Sequence, residues 1–370
     1  MTNHYKIIFL LFLTLISCEK KPTNNYANLI VGDWIFEKEN PKKENTFYSD
    51  FGYTFYPNGN CESKPGYFQT KERTQKEERK TTFFGTKTKY KIVDDSLYIL
   101  NPISKKFDAS KIVSINSKKL KLKFDEKVIL EFSKLNYKVN EKENFDKIII
   151  SKSPCFGSCP INDIEINKNG EIYYYGAHYN SKNGYFKSKI KASEFNGIEK
   201  SLKKVNFLNL KDNYTANWTD DQEVSVTFVK DNKILKSITD YGRQSPKSFR
   251  VNIEPLTYLY QKIKLEEDKT AKDFQYINLR FEKGNKIINL TTSEIFFLSN
   301  LLSKSIATSK SFKAEFITNY DTDYDVSRIE TDGRFFKIFS KNKSSVTYDL
   351  GFNFIEKNEL KKRQKVKSDE

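Results

Sequence analysis

The sequence predicts an all-β barrel or sandwich followed by two small α+β modules of hairpin-helix-hairpin layout. Three observations lead there. Residues 29–138 alternate apolar and polar side chains between turn signals, with no helical stretch. After a charged linker at 141–146, hairpin signals alternate with apolar residues at helical spacing through residues 147–266. Features of that stretch return about 100 residues later, in 273–356, and a fixed offset is how a duplicated unit shows itself.

The chain has 370 residues, room for two or three domains. Its formal net charge is +16, from 64 Lys+Arg against 48 Asp+Glu. Only eight of the cations are Arg, and base and phosphate recognition leans on the planar Arg fork rather than the hydrated Lys point charge. The charge therefore reads as a Lys-rich surface, and nucleic acid is not an expected partner. No two of the 14 glycines are two or five residues apart, which excludes the Gly-x-Gly-x-x-Gly turn and the Gly-x-x-x-x-Gly-Lys loop and with them the common nucleotide cradles. No cofactor is expected.

Residues 1–17 carry Lys6 and an apolar run from Ile7 to Ile16, too short for a bilayer core that needs about 20 residues and suited to a secretion signal. Leu15-Ile16-Ser17-Cys18 resembles the lipobox of bacterial lipoproteins. That resemblance implies cleavage before Cys18, acylation of its thiol, and a polar tether over residues 18–28. It further implies a lipid-anchored protein in the envelope of a Gram-negative bacterium, at the outer membrane, facing periplasm or exterior. An exported compartment favours disulfides among the three remaining cysteines, Cys61, Cys155 and Cys159.

In residues 29–138, Leu120, Leu122 and Phe124 alternate with lysines, as Val128, Leu130 and Phe132 alternate with polar residues. Pro57-Asn58-Gly59-Asn60 and Asp94-Asp95-Ser96 supply turns. Seven to nine short antiparallel strands are expected. The opening Gly32-Asp33-Trp34, with the Tyr90-x-Ile92 and Leu97-x-Ile99 rhythm, resembles lipocalin-like domains. A barrel of eight strands is either filled or holds one small ligand. Phe51, Tyr53, Phe55 and Phe83 are accordingly candidates for core or for the lining of a calyx that holds a small apolar ligand.

In residues 147–266 the expected order is strand, cysteine loop, hairpin, helix, hairpin, helix. Asn167-Lys168-Asn169-Gly170 and Lys230-Asp231-Asn232-Lys233 are the hairpin turns. Ser193 is the expected cap of a helix that aligns Phe195, Ile198, Leu202 and Val205, and Phe249, Ile253, Leu256, Tyr260 and Ile263 mark another that Pro255 must kink or delay. The Cys155-Phe156-Gly157-Ser158-Cys159-Pro160 loop leading into a hairpin resembles a domain of unknown function found in bacterial lipoproteins, a likeness covering Lys147 to Lys264. The second module repeats the order: a hairpin around Gly284, a helix opened by Ser293-Glu294-Ile295, then Asp332-Gly333-Arg334-Phe335 in the place of Asp231 to Ile234. Residues 357–370 are expected to be a free basic tail, resting on anionic headgroups or solvated.

Within the cysteine loop, Gly157 permits a tight reversal and Pro160 fixes the exit, so Cys155 and Cys159 can close a disulfide. A redox pair would carry two intervening residues at a helix start rather than three before a strand, and zinc lacks further ligands, since His178 is the one histidine beyond the signal. Asp321, Asp323, Asp325 and Asp332 fit positions of a calcium loop, but Val326 replaces the required Gly and Asp332 the bidentate Glu. Trp218 beside Asp220 and Asp221 could face a sugar or a cation, or simply pack. The sequence thus points to a non-catalytic binding or envelope-interaction protein, with membrane, a small apolar ligand, an envelope protein or a glycan as partners. The alternative is an exported enzyme, either a thiol oxidoreductase through Cys155 and Cys159 or a hydrolase using the Asp220/Asp221 loop.

Overall fold

The computed structural model describes residues 25–41, 50–72, 74, 79–137, 139–269, 279–320, 326–342 and 344–367. The signal, the lipobox with Cys18, and Asp321, Asp323 and Asp325 lie outside the described residues.

Helix α1 (Tyr26–Leu29) leads into ten strands: β1 (Gly32–Asn40), β2 (Gly52–Phe55), β3 (Asn60–Ser63), β4 (Phe68–Lys71), β5 (Lys80–Phe83), β6 (Lys87–Val93), β7 (Ser96–Leu100), β8 (Phe107–Ile115), β9 (Lys119–Lys123) and β10 (Ile129–Lys134). Eight of them close an antiparallel barrel in the order β1-β10-β9-β8-β7-β6-β3-β2, because β1 pairs with both β10 and β2. Both expected turns form, with Gly59 and Asp94 at positive φ as such tight connections require. Most inward residues are those the period-two pattern selects, but Phe124, just past the end of β9, is exposed rather than inward. Trp34, Phe36, Phe55, Leu120, Leu122 and Phe132 are each at most 3% exposed, and the Trp34 indole donates to the Ile30 carbonyl at 2.6 Å. Phe51 and Tyr53 are half-buried against this core. Cys61 belongs to it as well, where burial pushes its thiol up to about 12.

Phe83 leaves the barrel. Strands β4 and β5 form a separate hairpin, and Phe83 is buried in the core of the following domain, 4.9 Å from the Phe68 ring and 6.2 Å from Tyr258. It therefore lines no calyx. The Gln261 side chain accepts from Phe83 N at 2.8 Å and donates to the Thr81 carbonyl at 3.0 Å, which ties the hairpin down.

The next domain comprises β11 (Lys147–Lys152), β12 (Ile161–Asn167), β13 (Glu171–His178), β14 (Gly184–Lys189), α2 (Ala192–Lys203), β15 (Asn213–Thr215), β16 (Glu223–Lys230), β17 (Lys233–Tyr241), α3 (Lys247–Thr257) and β18 (Glu266–Glu267). One eight-stranded sheet runs β15-β17-β16-β11-β12-β13-β14-β18, antiparallel except where β15 joins β17. Ile148 and Ile150 pack with residues of α2 and α3, whereas Ile149 packs with the module beyond. The unbroken Ile148-Ile149-Ile150 run is what a strand covered on both faces requires. Helix α2 begins earlier than expected. Lys191 is its cap, with the Lys191 N–H donating to the Glu194 carboxylate at 2.9 Å, and Ser193 lies inside the helix. Pro255 falls in the last turn of α3 and delays nothing; the helix ends two residues later.

The last module holds β19 (Arg280–Lys283), β20 (Lys286–Asn289), α4 (Thr292–Lys304), β21 (Ile306–Thr308), β22 (Phe316–Asn319), β23 (Val326–Thr331), β24 (Phe335–Ser340), β25 (Ser345–Asp349), α5 (Phe354–Lys357) and β26 (Lys365–Val366). Hairpin, helix and hairpin follow in the same order as before, but the pairing differs. Its two hairpins sit in separate sheets, β19-β20-β26 and β21-β25-β24-β23-β22. Helix α4, capped by Thr291 rather than opened by Ser293, lies across β11, β12 and β16 of the preceding sheet. Ser293 there bonds to Ser225 at 2.6 Å and Thr227 at 2.7 Å.

Residues 357–367 are ordered and do not form a free tail. Leu360 is buried, β26 pairs with β20, and Arg363 grips the fully buried Glu294 with two bonds of 2.7 Å. The basic run is held because acidic partners face it: Lys361 meets Glu315 at 2.9 Å and Lys367 meets Glu282 at 2.5 Å.

Candidate functional site

A cavity of about 260 Å³ opens where the β4–β5 hairpin of the barrel, helix α3 and the cysteine loop meet. Its apolar wall comes from Val224 on β16 and from Phe249, Ile253 and Tyr258 in and after α3. Lys152, the last residue of β11, points to the same side of the sheet as Ile150, and the loop from Ser158 to Pro160 closes one edge. Such a size lies just below the roughly 300–1,000 Å³ of sites for drug-sized ligands.

The cysteine loop is built as the sequence requires. Cys155 and Cys159 are disulfide-bonded. Gly157 takes φ +139° in a conformation that disfavours other residues. The Gln222 amide donates to the Ser153 carbonyl at 2.7 Å and to the Pro160 carbonyl at 2.9 Å, and Phe156 N donates to the Asp220 carbonyl at 3.1 Å. Phe156 itself projects into solvent at 86% exposure.

Charges line the cavity from both domains. Arg243, in the turn after β17, and Arg250 of α3 both clasp Asp50 of the barrel domain, through Arg243 Nε at 2.8 Å and Arg250 Nη2 at 2.6 Å. Burial alone would raise the Asp50 carboxyl, but the bonds and charges of the two guanidinium groups hold it below its usual range. Asp240 accepts from Gln244 N at 2.6 Å and from Ser245 Oγ at 2.5 Å. Asp221 accepts from the Trp218 indole at 3.2 Å and from Gln222 N at 2.7 Å. Glu254 is left with longer contacts, to Lys152 at 3.8 Å and Arg243 at 3.7 Å.

The sequence candidates thus divide. Cys159 and Asp221 line the cavity. Trp218, half-exposed, and Asp220 sit behind Asp221 in the loop that supports this edge. Gly242 is the position that lets Trp218 approach, since a Cβ there would lie 3.2 Å from the indole and 2.5 Å from the Ala216 Cβ. His178, at the exposed end of β13, does not line the cavity. Among the described residues no group of three His, Cys, Asp or Glu side chains is placed to hold a metal ion. Sequence reasoning missed Lys152, Arg243, Arg250, Glu254 and the contribution of Arg79. One signal was available: of the eight arginines in the chain, Arg79, Arg243 and Arg250 line this one cavity.

Comparison with known proteins assigns the main wall of the site. Residues 146–260 match a domain of unknown function (DUF6438). The matched domain contributes every lining residue except Arg79 and Thr81. No curated protein matches the chain. Among solved structures, the chain is similar to an uncharacterized protein from Bacteroides eggerthii at 15% identity, over 28% of this chain and 98% of that one, with a TM-score of 0.20.

Proposed function

We propose that this protein is an exported lipoprotein, anchored through Cys18 in the outer membrane of a Gram-negative bacterium, that binds a small ligand without transforming it. The barrel in this reading is a lipocalin-like scaffold, and the ligand site is the cavity it shares with the matched domain rather than a calyx. The observation that carries the reading is the convergence of three segments from two domains, including the disulfide-closed loop, on one partly apolar cavity. Binding sites favour such domain junctions. The barrel interior, by contrast, is occupied by Trp34, Phe55 and Phe132. An enzyme reading finds less support, since the Cys155–Cys159 loop has three intervening residues and leads into β12 rather than opening a helix, and His178 stands apart from the cavity.

Native mass spectrometry of the full chain purified from membranes should reveal a small molecule that Ile253→Trp, which fills the cavity, abolishes. An unliganded mass for the wild type, or a ligand retained by Ile253→Trp, would overturn the assignment of the site. The anchor is tested separately: wild type should partition into the detergent phase and Cys18→Ala into the aqueous phase, and equal partitioning refutes it.

A further inference from the structure

We infer that the cavity takes a small organic anion, with its carboxylate or phosphate group seated on the Lys152 ammonium; this rests on the reading of the cavity as a ligand site. Lys152 is 6% exposed and lines the cavity. Its ammonium carries three donors, yet among the described residues it makes no hydrogen bond. Its charge meets only Glu254 at 3.8 Å and the face of Tyr258 at 4.9 Å from the ring centre. A buried cation is normally paired and hydrogen-bonded, because desolvation costs several kcal/mol that a loose contact does not offset.

The surrounding charges show why the missing partner is an anion. Asp50, Asp240 and Asp221 already accept four, three and two hydrogen bonds from the protein. Glu254 is shared between Lys152 and Arg243 at distances too long for hydrogen bonds. On the barrel side, among the described residues Arg79 has only the exposed Glu72, at 3.6 Å. Four cations, Arg79, Lys152, Arg243 and Arg250, therefore line the cavity; Arg250 and two nitrogens of Arg243 are taken up by Asp50, and Glu254 is the one loosely held carboxylate. An anion between Lys152 and Nη1 of Arg243 would give both a close acceptor, while Tyr258, Phe249 and Ile253 would cover the carbon skeleton of the ligand.

The test is calorimetric titration of the full chain with citrate, inorganic phosphate and, as a neutral probe of similar size, glucose. Saturable binding of citrate or phosphate is expected, and which of the two binds tells a carboxylate site from a phosphate site. Lys152→Met should weaken it at least tenfold and Lys152→Arg should largely restore it. Glu254→Gln, which removes the built-in competing carboxylate, should tighten it several-fold, a change that a merely structural Lys152 would not produce. Thermal melts establish that each variant is folded. Glucose binding that Ile253→Trp abolishes, with no anion binding, overturns the anion while leaving the cavity as the ligand site. Anion binding unchanged in Ile253→Trp, or in both Lys152→Met and Glu254→Gln, overturns the assignment to this cavity. If no probe binds and the molecule seen by native mass spectrometry is neutral, the anion is likewise overturned.

Discussion

Substituting Asp33 by Asn should destabilise the barrel and remove one of its ties to the matched domain. Asp33 begins the barrel on β1, with its side chain 11% exposed, and accepts from Lys64 at 2.6 Å, Thr54 at 2.5 Å and Lys204, just past α2, at 2.9 Å. Burial alone would raise its carboxyl, but the Lys64 charge and the bonds from Lys64, Thr54 and Lys204 outweigh that and bring it from 3.8 down to about 2. At about 1.4 kcal/mol per pH unit, the carboxylate contributes about 2 kcal/mol of stability at neutral pH. The variant also leaves Lys64, 9% exposed, without its counterion, so a total loss of about 3 kcal/mol is expected. Because the folded pKa is depressed, the contribution is complete above about pH 4 and disappears as pH falls toward 2. Urea denaturation of wild type and Asp33→Asn between pH 7 and about pH 2.5 should show a gap that narrows with acidity. A gap that stays constant across the range, or one below about 0.5 kcal/mol at pH 7, would refute the reasoning. Lys64→Met in the Asp33→Asn background should recover part of the loss, because it removes the stranded cation.

Phe83→Ala should cost about 3–5 kcal/mol, since the ring is 5% exposed in a core that the β4–β5 hairpin enters through Phe83 and the half-buried Phe68; limited proteolysis should then cut within the β4–β5 hairpin, and a loss under about 1 kcal/mol would show that the hairpin is not a fastening. Replacing Cys155 and Cys159 together by Ser should lower stability by about 2 kcal/mol, a chain-entropy value extrapolated to a four-residue separation, with thermal melts in the presence and absence of reductant as the check. Wild type under full reduction should match the double variant. Arg363→Ala should cost about 2–3 kcal/mol, less than a fully enclosed pair because Arg363 is itself partly exposed, by leaving the carboxylate of Glu294 buried. Hydrogen exchange should then rise along β26 and β20 first, and uniform protection there would argue against that role.

The period-two alternation over residues 29–138 selects most of the barrel interior, Trp34 and Phe132 included, because burial on one face of a strand demands that spacing wherever the partner strand comes from; it fails at Phe124, which lies past β9 and is exposed. The hairpin turns and the order of elements in the matched domain are legible for the same reason: they are local, set by glycine, asparagine and aspartate conformations within a few residues. The disulfide is local too, four residues apart with a glycine between. Phe83 is the counterexample. It sits in a strand pattern like any other of the barrel, and nothing within ten residues records that its partners are Phe68 and Tyr258.

The tail misleads in the same way, since its lysines and Arg363 look solvated until Glu294, Glu315 and Glu282 are brought against them from 46 to 85 residues away. The sequence by itself determined the alternating strands of a barrel or sandwich, the turns, the cysteine loop and the scarcity of arginine, and left closure of the barrel to the pairing of β1 with both β2 and β10. Only the tertiary structure decided that Arg79, Lys152, Arg243 and Arg250 surround one cavity, and that among the described residues Lys152 enters it without a hydrogen-bonded partner. The difference is physical: burial patterns and backbone turns are written in neighbouring residues, whereas a charge constellation forms from segments up to 175 residues apart that meet only when two domains pack.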